Sequence, residues 1–250
     1  MKTIFLSDRG KVRQHNEDSA GVFYNVDGDI LAIVADGMGG HRAGDVASQM
    51  AIQLIHDFWK QAQGVHTPKL AEKWLYEHVE IVNERIYNYS FENEECQGMG
   101  TTIVIAICTD TFVTIGHIGD SRCYIVSDNE MTLATEDHSL VNELVRYGEI
   151  TKEDAEIHPR RHVLLRALGT EKTANLDSKT LILEQGDQLL LCSDGLSNKV
   201  SEEEMKQILV SDLDLQGKGE ELVKKANDMG GEDNITLVIV QYIDSVSESR

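Results

Sequence analysis

The chain has 250 residues, with 23 Lys and Arg against 43 Asp and Glu, for a formal net charge of −20. That length can bury a large core, and a composition of 41% hydrophobic and 26% charged residues is ordinary for a soluble globular protein. So negative a surface excludes a nucleic-acid track and repels anionic lipid. It would also repel a phosphorylated ligand, so a phosphate-handling site here needs local positive charge, most simply bound metal.

The opening Met-Lys-Thr-Ile-Phe-Leu-Ser-Asp meets charge too soon for a secretory apolar region. No apolar run approaches the ~18 residues that span a bilayer. A cytoplasmic location without membrane insertion is therefore expected. The cysteines Cys96, Cys108, Cys123 and Cys192 form no CxxC pair and read as buried free thiols in a reducing compartment.

In chain order, residues 2–7 and 20–24 are short strand-like runs, and Asp27-Gly28 is a hairpin turn before a strand at 30–35. Helical spacing follows over about 43–63 (Val46, Met50, Leu54, Phe58) and about 70–91 (Trp74, Val79, Val82, Ile86, Tyr89). Trp59 and Trp74 read as core residues of these helices. Strands are predicted at 102–108, 112–118 and 123–126. Residues 139–166 are polar, mixed and partly helical, suited to a flap over a site. Strand character returns at 181–183 and 188–192. Ser201-Glu202-Glu203-Glu204 opens a helix to about 210 with a capping box. A further helix is predicted at about 220–228 and a last strand at 235–242. Strands joined by short turns, with helices in pairs, indicate an α+β fold of antiparallel sheets covered by helices.

Two strands share one design. Ile30-Leu31-Ala32-Ile33-Val34-Ala35 and Leu189-Leu190-Leu191-Cys192-Ser193 each run into Asp-Gly, at Asp36-Gly37 and Asp194-Gly195. The Gly is expected to let the chain turn and its carbonyl approach an ion. Asp120 follows another strand, and Asp233 precedes the last one. In antiparallel sheets these ends can meet. Converging carboxylates repel one another unless cations lie between them, and hard oxygen ligands select magnesium or manganese over zinc. Asp-Gly is also a common turn, so spacing alone leaves both readings open. Two hydrated ions about 3.5–4 Å apart can acidify a bridging water and bind phosphate oxygens. An arginine would then grip the phosphate.

At these residues the chain resembles the type 2C (PPM) family of metal-dependent serine/threonine protein phosphatases, in its compact bacterial form. The resemblance runs nearly the whole length, in order: Arg13-Gln14-His15-Asn16-Glu17-Asp18, Val34-Ala35-Asp36-Gly37-Met38-Gly39-Gly40-His41, Gly98-Met99-Gly100-Thr101-Thr102, Gly119-Asp120-Ser121-Arg122, Thr135-Glu136-Asp137-His138-Ser139, Ser193-Asp194-Gly195 and Gly231-Glu232-Asp233-Asn234.

The resemblance implies a four-layer sandwich, two antiparallel β-sheets flanked by pairs of α-helices. It implies one phosphatase domain over 1–244 with a flap at about 138–170, and a frayed tail at 245–250. Two Mn2+ or Mg2+ ions would be held by Asp36, which bridges them, by the Gly37 carbonyl, and by Asp194 and Asp233. Asp120, with Asp194, matches the position of a third, weaker ion; its other reading is a turn residue before Ser121-Arg122. Arg13 would bind substrate phosphate, and Glu17 and Asp18 would orient metal-bound water. The expected reaction is hydrolysis of phosphoserine and phosphothreonine monoesters by water or hydroxide bridging the ions. The implied partners are phosphoproteins and a cognate serine/threonine kinase, and relatives of this type are usually monomers.

The chain departs from many eukaryotic relatives at Met38, where they carry a histidine proposed to protonate the leaving group. His41, three residues on, either fills that role or shapes the Gly39-Gly40-His41 turn. Arg160, Arg161 and Arg166 in the flap either dock acidic phosphopeptides or are solvated surface charge.

Overall fold

A computed structural model describes residues 1–39 and 43–243. His41 and the tail at 245–250 lie outside the described residues.

The strands are β1 (Lys2–Asp8), β2 (Asp18–Tyr24), β3 (Ile30–Met38), β4 (Gly100–Thr101), β5 (Ile103–Cys108), β6 (Val113–Ile118), β7 (Arg122–Ser127), β8 (Glu130–Leu133), β9 (Asp177–Leu181), β10 (Gln188–Cys192) and β11 (Ile235–Gln241). The helices are α1 (Ala43–Trp59), α2 (Pro68–Glu92), α3 (Leu140–Arg146), α4 (Lys152–Glu156), α5 (Asp194–Ser197), α6 (Glu202–Leu209) and α7 (Leu215–Asp228). One sheet has the order β1-β11-β10-β7-β8. The other has β2-β3-β5-β6-β9, with β4 paired to the end of β3. Every pairing is antiparallel.

Three apolar layers hold four layers of secondary structure together, and the period-two alternation of strand side chains assigns residues to them. In β3, Leu31, Ile33 and Ala35 pack under α1 and α2. Ile30, Ala32 and Val34 face the other sheet, meeting Leu189, Leu191, Val238 and Val240. On the far side, Leu190, Cys192, Ile235, Leu237 and Ile239 pack under α5, α6 and α7. Strands buried on both faces read as continuous apolar runs, which is why the central ones were legible. Trp59 and Trp74 meet edge to face at 4.9 Å inside the first layer. The four cysteines are buried free thiols. Among the described residues no helix is long and apolar enough to cross a membrane.

The differences from expectation fall at edges and ends. β8 (Glu-Met-Thr-Leu) and β9 (Asp-Ser-Lys-Thr-Leu) are polar edge strands. β8 was not predicted, and β9 ends at Leu181, where the predicted strand began. Helix α7 starts at Leu215, capped by Asp214, well before the expected 220. Its glycines hid it. A Cβ on Gly219 would stand 2.4 Å from Ile4 Cδ1, so the glycine lets the helix press onto β1. The flap region holds α3 and α4, capped by Ser139 and Thr151. The isolated bridge Ser139–Leu164 closes its base, and Thr101–Leu168 joins its returning end to β4.

Candidate active site

Both Asp-Gly pairs correct the sequence reading in the same way. The chain does not turn at Gly37, because β3 runs on through Asp36 and Gly37 to Met38. Nor does it turn at Gly195, which lies in the short helix α5 that Asp194 begins. Neither glycine has a positive φ. What each requires is space. A Cβ on Gly37 would stand 2.0 Å from the Gly44 carbonyl oxygen, and one on Gly195 would stand 1.9 Å from that of Asn234. The glycines thus let β3 lie against the start of α1, and α5 against the start of β11. Those two contacts bring the neighbouring aspartates to one edge of the sandwich.

Asp36 is fixed through its backbone. Its N–H donates to Thr102 Oγ1 at 3.0 Å, and its carbonyl accepts from Thr101 Oγ1 at 2.9 Å and from the Thr102 N–H at 2.8 Å. The Gly-Met-Gly-Thr-Thr motif is therefore a clamp on Asp36. Gly98, at φ +76°, makes its turn, and a Cβ on Gly100 would stand 2.9 Å from the Leu168 carbonyl. Thr102 Oγ1 also hydrogen-bonds Ser121 Oγ at 2.7 Å, which ties the clamp to the residue after Asp120. Arg122 grips Asp137 through two hydrogen bonds of 2.9 and 2.7 Å, so the Gly-Asp-Ser-Arg and Thr-Glu-Asp-His-Ser motifs form one unit.

Asp18 lies opposite Asp36 in the β2–β3 register, and its Oδ2 accepts from Ser193 Oγ at 2.7 Å. Asp233 Oδ2 accepts from Arg13 at 2.8 Å, and its Oδ1 accepts from the Asn234 N–H at 2.9 Å. The Asn234 side chain steadies the segment around Arg13. It donates to the carbonyls of Arg9 and His15 at 2.9 and 3.0 Å, and accepts from the Glu17 N–H at 2.8 Å.

The electrostatics show what has been gathered. Asp36, Asp120 and Asp194 each keep an edge of accessible surface, yet dense protein surrounds them. Burial, then repulsion from Asp18, Asp194, Asp120 and Asp233, raises Asp36 well above the carboxylate range. Burial, then repulsion from Asp194 and Asp137, lifts Asp120 to about 7. Asp18 rises to about 7 by burial against hydrogen bonds from Ser193 and Thr236, with repulsion from Asp194 and Asp233 added. Asp194 is raised by burial and by Asp233, and is relieved by His162, by a proton it can share with Asp36, and by Arg13. Burial raises Glu17 as well, against the pull of Arg13 and with a push from Asp45. Glu17, Asp18, Asp36, Asp120, Asp194 and Asp233, six acidic groups from five segments, thus feel one another, and Arg13 is hydrogen-bonded to Asp233.

This donor set fits divalent cations. The gathered donors are hard carboxylate oxygens in mutual repulsion, which a hard cation would relieve. Asp45 Oδ1, in the first turn of α1 beside Glu17, is buried without a hydrogen-bond partner among the described residues. Among the described residues, no three of these aspartates bring carboxylate oxygens within 4.8 Å of one another.

Two residues escaped the sequence reading. Asp45 gave no motif signal, because an acidic residue in a first helical turn is ordinary. His162 is the flap group that acts on Asp194. Among the flap arginines weighed for docking, Arg166 is in an ion pair with Asp177 at 3.0 Å.

A protein phosphatase 2C family model matches residues 9–226. The serine/threonine phosphatase stp of Listeria welshimeri is 49% identical over 241 residues, covering 96% of each chain. The crystal structure of serine/threonine phosphatase Stp1 from Staphylococcus aureus superposes with a TM-score of 0.93 at 37% identity, covering 97% of this chain and 95% of that one. The catalytic domain of the serine/threonine protein phosphatase PstP, solved in complex with two manganese ions, superposes with a TM-score of 0.85 at 33% identity over 97% of this chain and 98% of that one. The chain belongs to the protein phosphatase 2C family of metal-dependent serine/threonine phosphatases, and to its bacterial type.

Proposed function

We propose that this protein hydrolyses phosphoserine and phosphothreonine monoesters on proteins, with two divalent ions, Mn2+ or Mg2+, held at the Asp36 edge of the sandwich. The carrying observation is the convergence of Asp36, Asp120 and Asp194, with the partly exposed Asp233, into one mutually repelling group beside Arg13. Asp36, the Gly37 carbonyl, Asp194 and Asp233 would hold the two ions, with Asp36 shared between them, and Asp120, beside Asp194, would hold a third. When bound, the ions supply Lewis acidity toward phosphate oxygens and an acidified water as nucleophile.

The chain's own residues do the rest. Arg13 is half-exposed, with a planar fork of donors suited to two phosphate oxygens. Glu17 and Asp18 sit beside the ligand carboxylates as acceptors that orient water, and Ser193 fixes the Asp18 carboxylate in place. Met38 offers no proton to the leaving oxygen. That proton then comes from His41 or from solvent. Residues 1–244 act as one phosphatase domain, with the flap at about 138–170. The protein works as a cytoplasmic monomer on phosphoproteins that a cognate serine/threonine kinase has modified.

The test is release of phosphate from a phosphothreonine peptide with manganese and with chelator. Activity should disappear with chelator, and Asp36→Asn or Asp194→Asn should remove most of the rate. Turnover like that of the unmodified protein in both variants would reject the mechanism.

A further inference from the structure

His138 stands where the flap leaves the body of the protein, and its polar atoms are all engaged. Its N–H donates to the Gly119 carbonyl at 2.9 Å, and its own carbonyl accepts from the Leu165 N–H at 2.8 Å. The ring is buried and stacks on His117 at 4.6 Å between centroids. The Gly119 N–H donates to Nδ1 at 3.2 Å. Burial pushes the His138 pKa down, which favours the neutral ring. A neutral imidazole that accepts at Nδ1 carries its proton on Nε2. Nε2 therefore donates to Asp177 Oδ2, 3.1 Å away. Asp177 Oδ1 in turn accepts from Arg166 at 3.0 Å. One unbroken line thus joins Arg166 on the returning arm of the flap, Asp177 at the start of β9, His138, and the backbone of the residue before Asp120.

His117, His138 and Asp177 also bring three potential metal donors within 4.8 Å of one another. The tautomer argues against an ion there. Ligation through Nε2 would move the proton to Nδ1, where it would face the Gly119 N–H. The Arg166 guanidinium already stands 3.3 Å from Nε2.

The geometry points to His138 and Asp177 as positioning residues that lock the Gly119–Asp120 turn to the base of the flap. Gly119 is the joint that needs holding. It sits at φ +108°, and a Cβ there would stand 2.6 Å from Thr102 Cγ2. Through this lock, the order of the flap sets how firmly the Asp120 carboxylate is presented beside Asp194. The inference rests on the reading of Asp120 as a metal ligand.

Manganese titration calorimetry on the full chain, without substrate, reads the lock directly. The relevant step is the one that Asp120→Asn removes. Asp177→Ala is the safer variant, because Asp177 is half-exposed. His138→Asn keeps an acceptor for Gly119 but falls short of Asp177. Both should weaken that step roughly tenfold, the lower end for residues that orient metal ligands. Both should also speed amide hydrogen exchange over the flap. Adding Asp177→Ala to Asp120→Asn should change the remaining manganese steps no further. The inference is overturned if the step is unchanged in both variants, if Asp177→Ala weakens the remaining steps equally in the Asp120→Asn background, or if no step depends on Asp120. Zinc binding abolished by His117→Ala would overturn it too, by assigning the cluster to a metal. Because no substrate is present, loss of phosphatase activity alone bears only on the proposed function.

Discussion

Arg13 and Asp233 are bound to each other at 2.8 Å, although the proposed chemistry assigns one to the phosphate and the other to a cation. Both groups are partly exposed, so this ion pair contributes little to stability and can be exchanged at small cost. A divalent ion drawing on Asp233 and a phosphate drawing on Arg13 separate the same pair. Arg13→Ala should therefore act on substrate binding. KM for a phosphothreonine peptide should rise about tenfold or more while the protein stays folded, and Arg13→Lys should recover only part, since lysine cannot present two parallel donors. Steady-state kinetics check this. An unchanged KM in Arg13→Ala would remove Arg13 from the phosphate site.

The raised carboxylates set an unusual pH dependence for the metal-free protein. Asp18 and Asp120 titrate near 7 when folded, against an ordinary value of 3.8. Between those limits the folded state holds more protons than the unfolded state. The contribution of these groups to stability therefore falls as pH rises from about 4 to about 7, and is flat above. Manganese competes with those protons, so the rise in Tm on adding manganese should be larger at pH 8 than at pH 6. Thermal melts with and without metal check the sign. Asp120→Asn should flatten the metal-free slope. A variant with the same slope as the unmodified protein would show that Asp120 is not one of the titrating groups.

The two Asp-Gly glycines are packing positions, and their replacement should disturb the fold as well as the site. Gly37→Ala and Gly195→Ala each force a methyl into a carbonyl oxygen closer than 2.1 Å, at 2.0 and 1.9 Å respectively. Overpacking of this kind costs roughly 1–3 kcal/mol, and more where backbone must move. Gly28 is a useful contrast, since nothing stands within 4 Å of a Cβ there and only its φ of +88° resists substitution. Gly28→Ala should lose about 1–2 kcal/mol and keep its metal affinity. Denaturant melts and manganese titration of the three variants distinguish the cases.

The central strands and the motif aspartates were legible because each is written in one short stretch: an apolar run, then an acid. The polar edge strands β8 and β9 were not, since one exposed face and hydrogen bonds to a single neighbour leave little hydrophobic signal. The start of helix α7 was hidden by Gly217 and Gly219, and what requires Gly219 lies in β1, about 215 residues away in sequence. The same limit explains the Asp-Gly pairs. Their glycines look like turns locally, but the Gly44 and Asn234 carbonyls that require them come from other segments. Asp45 and His162 carried no local pattern at all, because they join the site only through packing.

Anomalous diffraction from a manganese-soaked crystal tests the central claim most directly. The account expects two peaks about 3.5–4 Å apart, with Asp36 between them, Asp194 and Asp233 on one of them, and Asp233 no longer held by Arg13. Peaks elsewhere on the molecule, with no manganese among Asp36, Asp194 and Asp233, would contradict it.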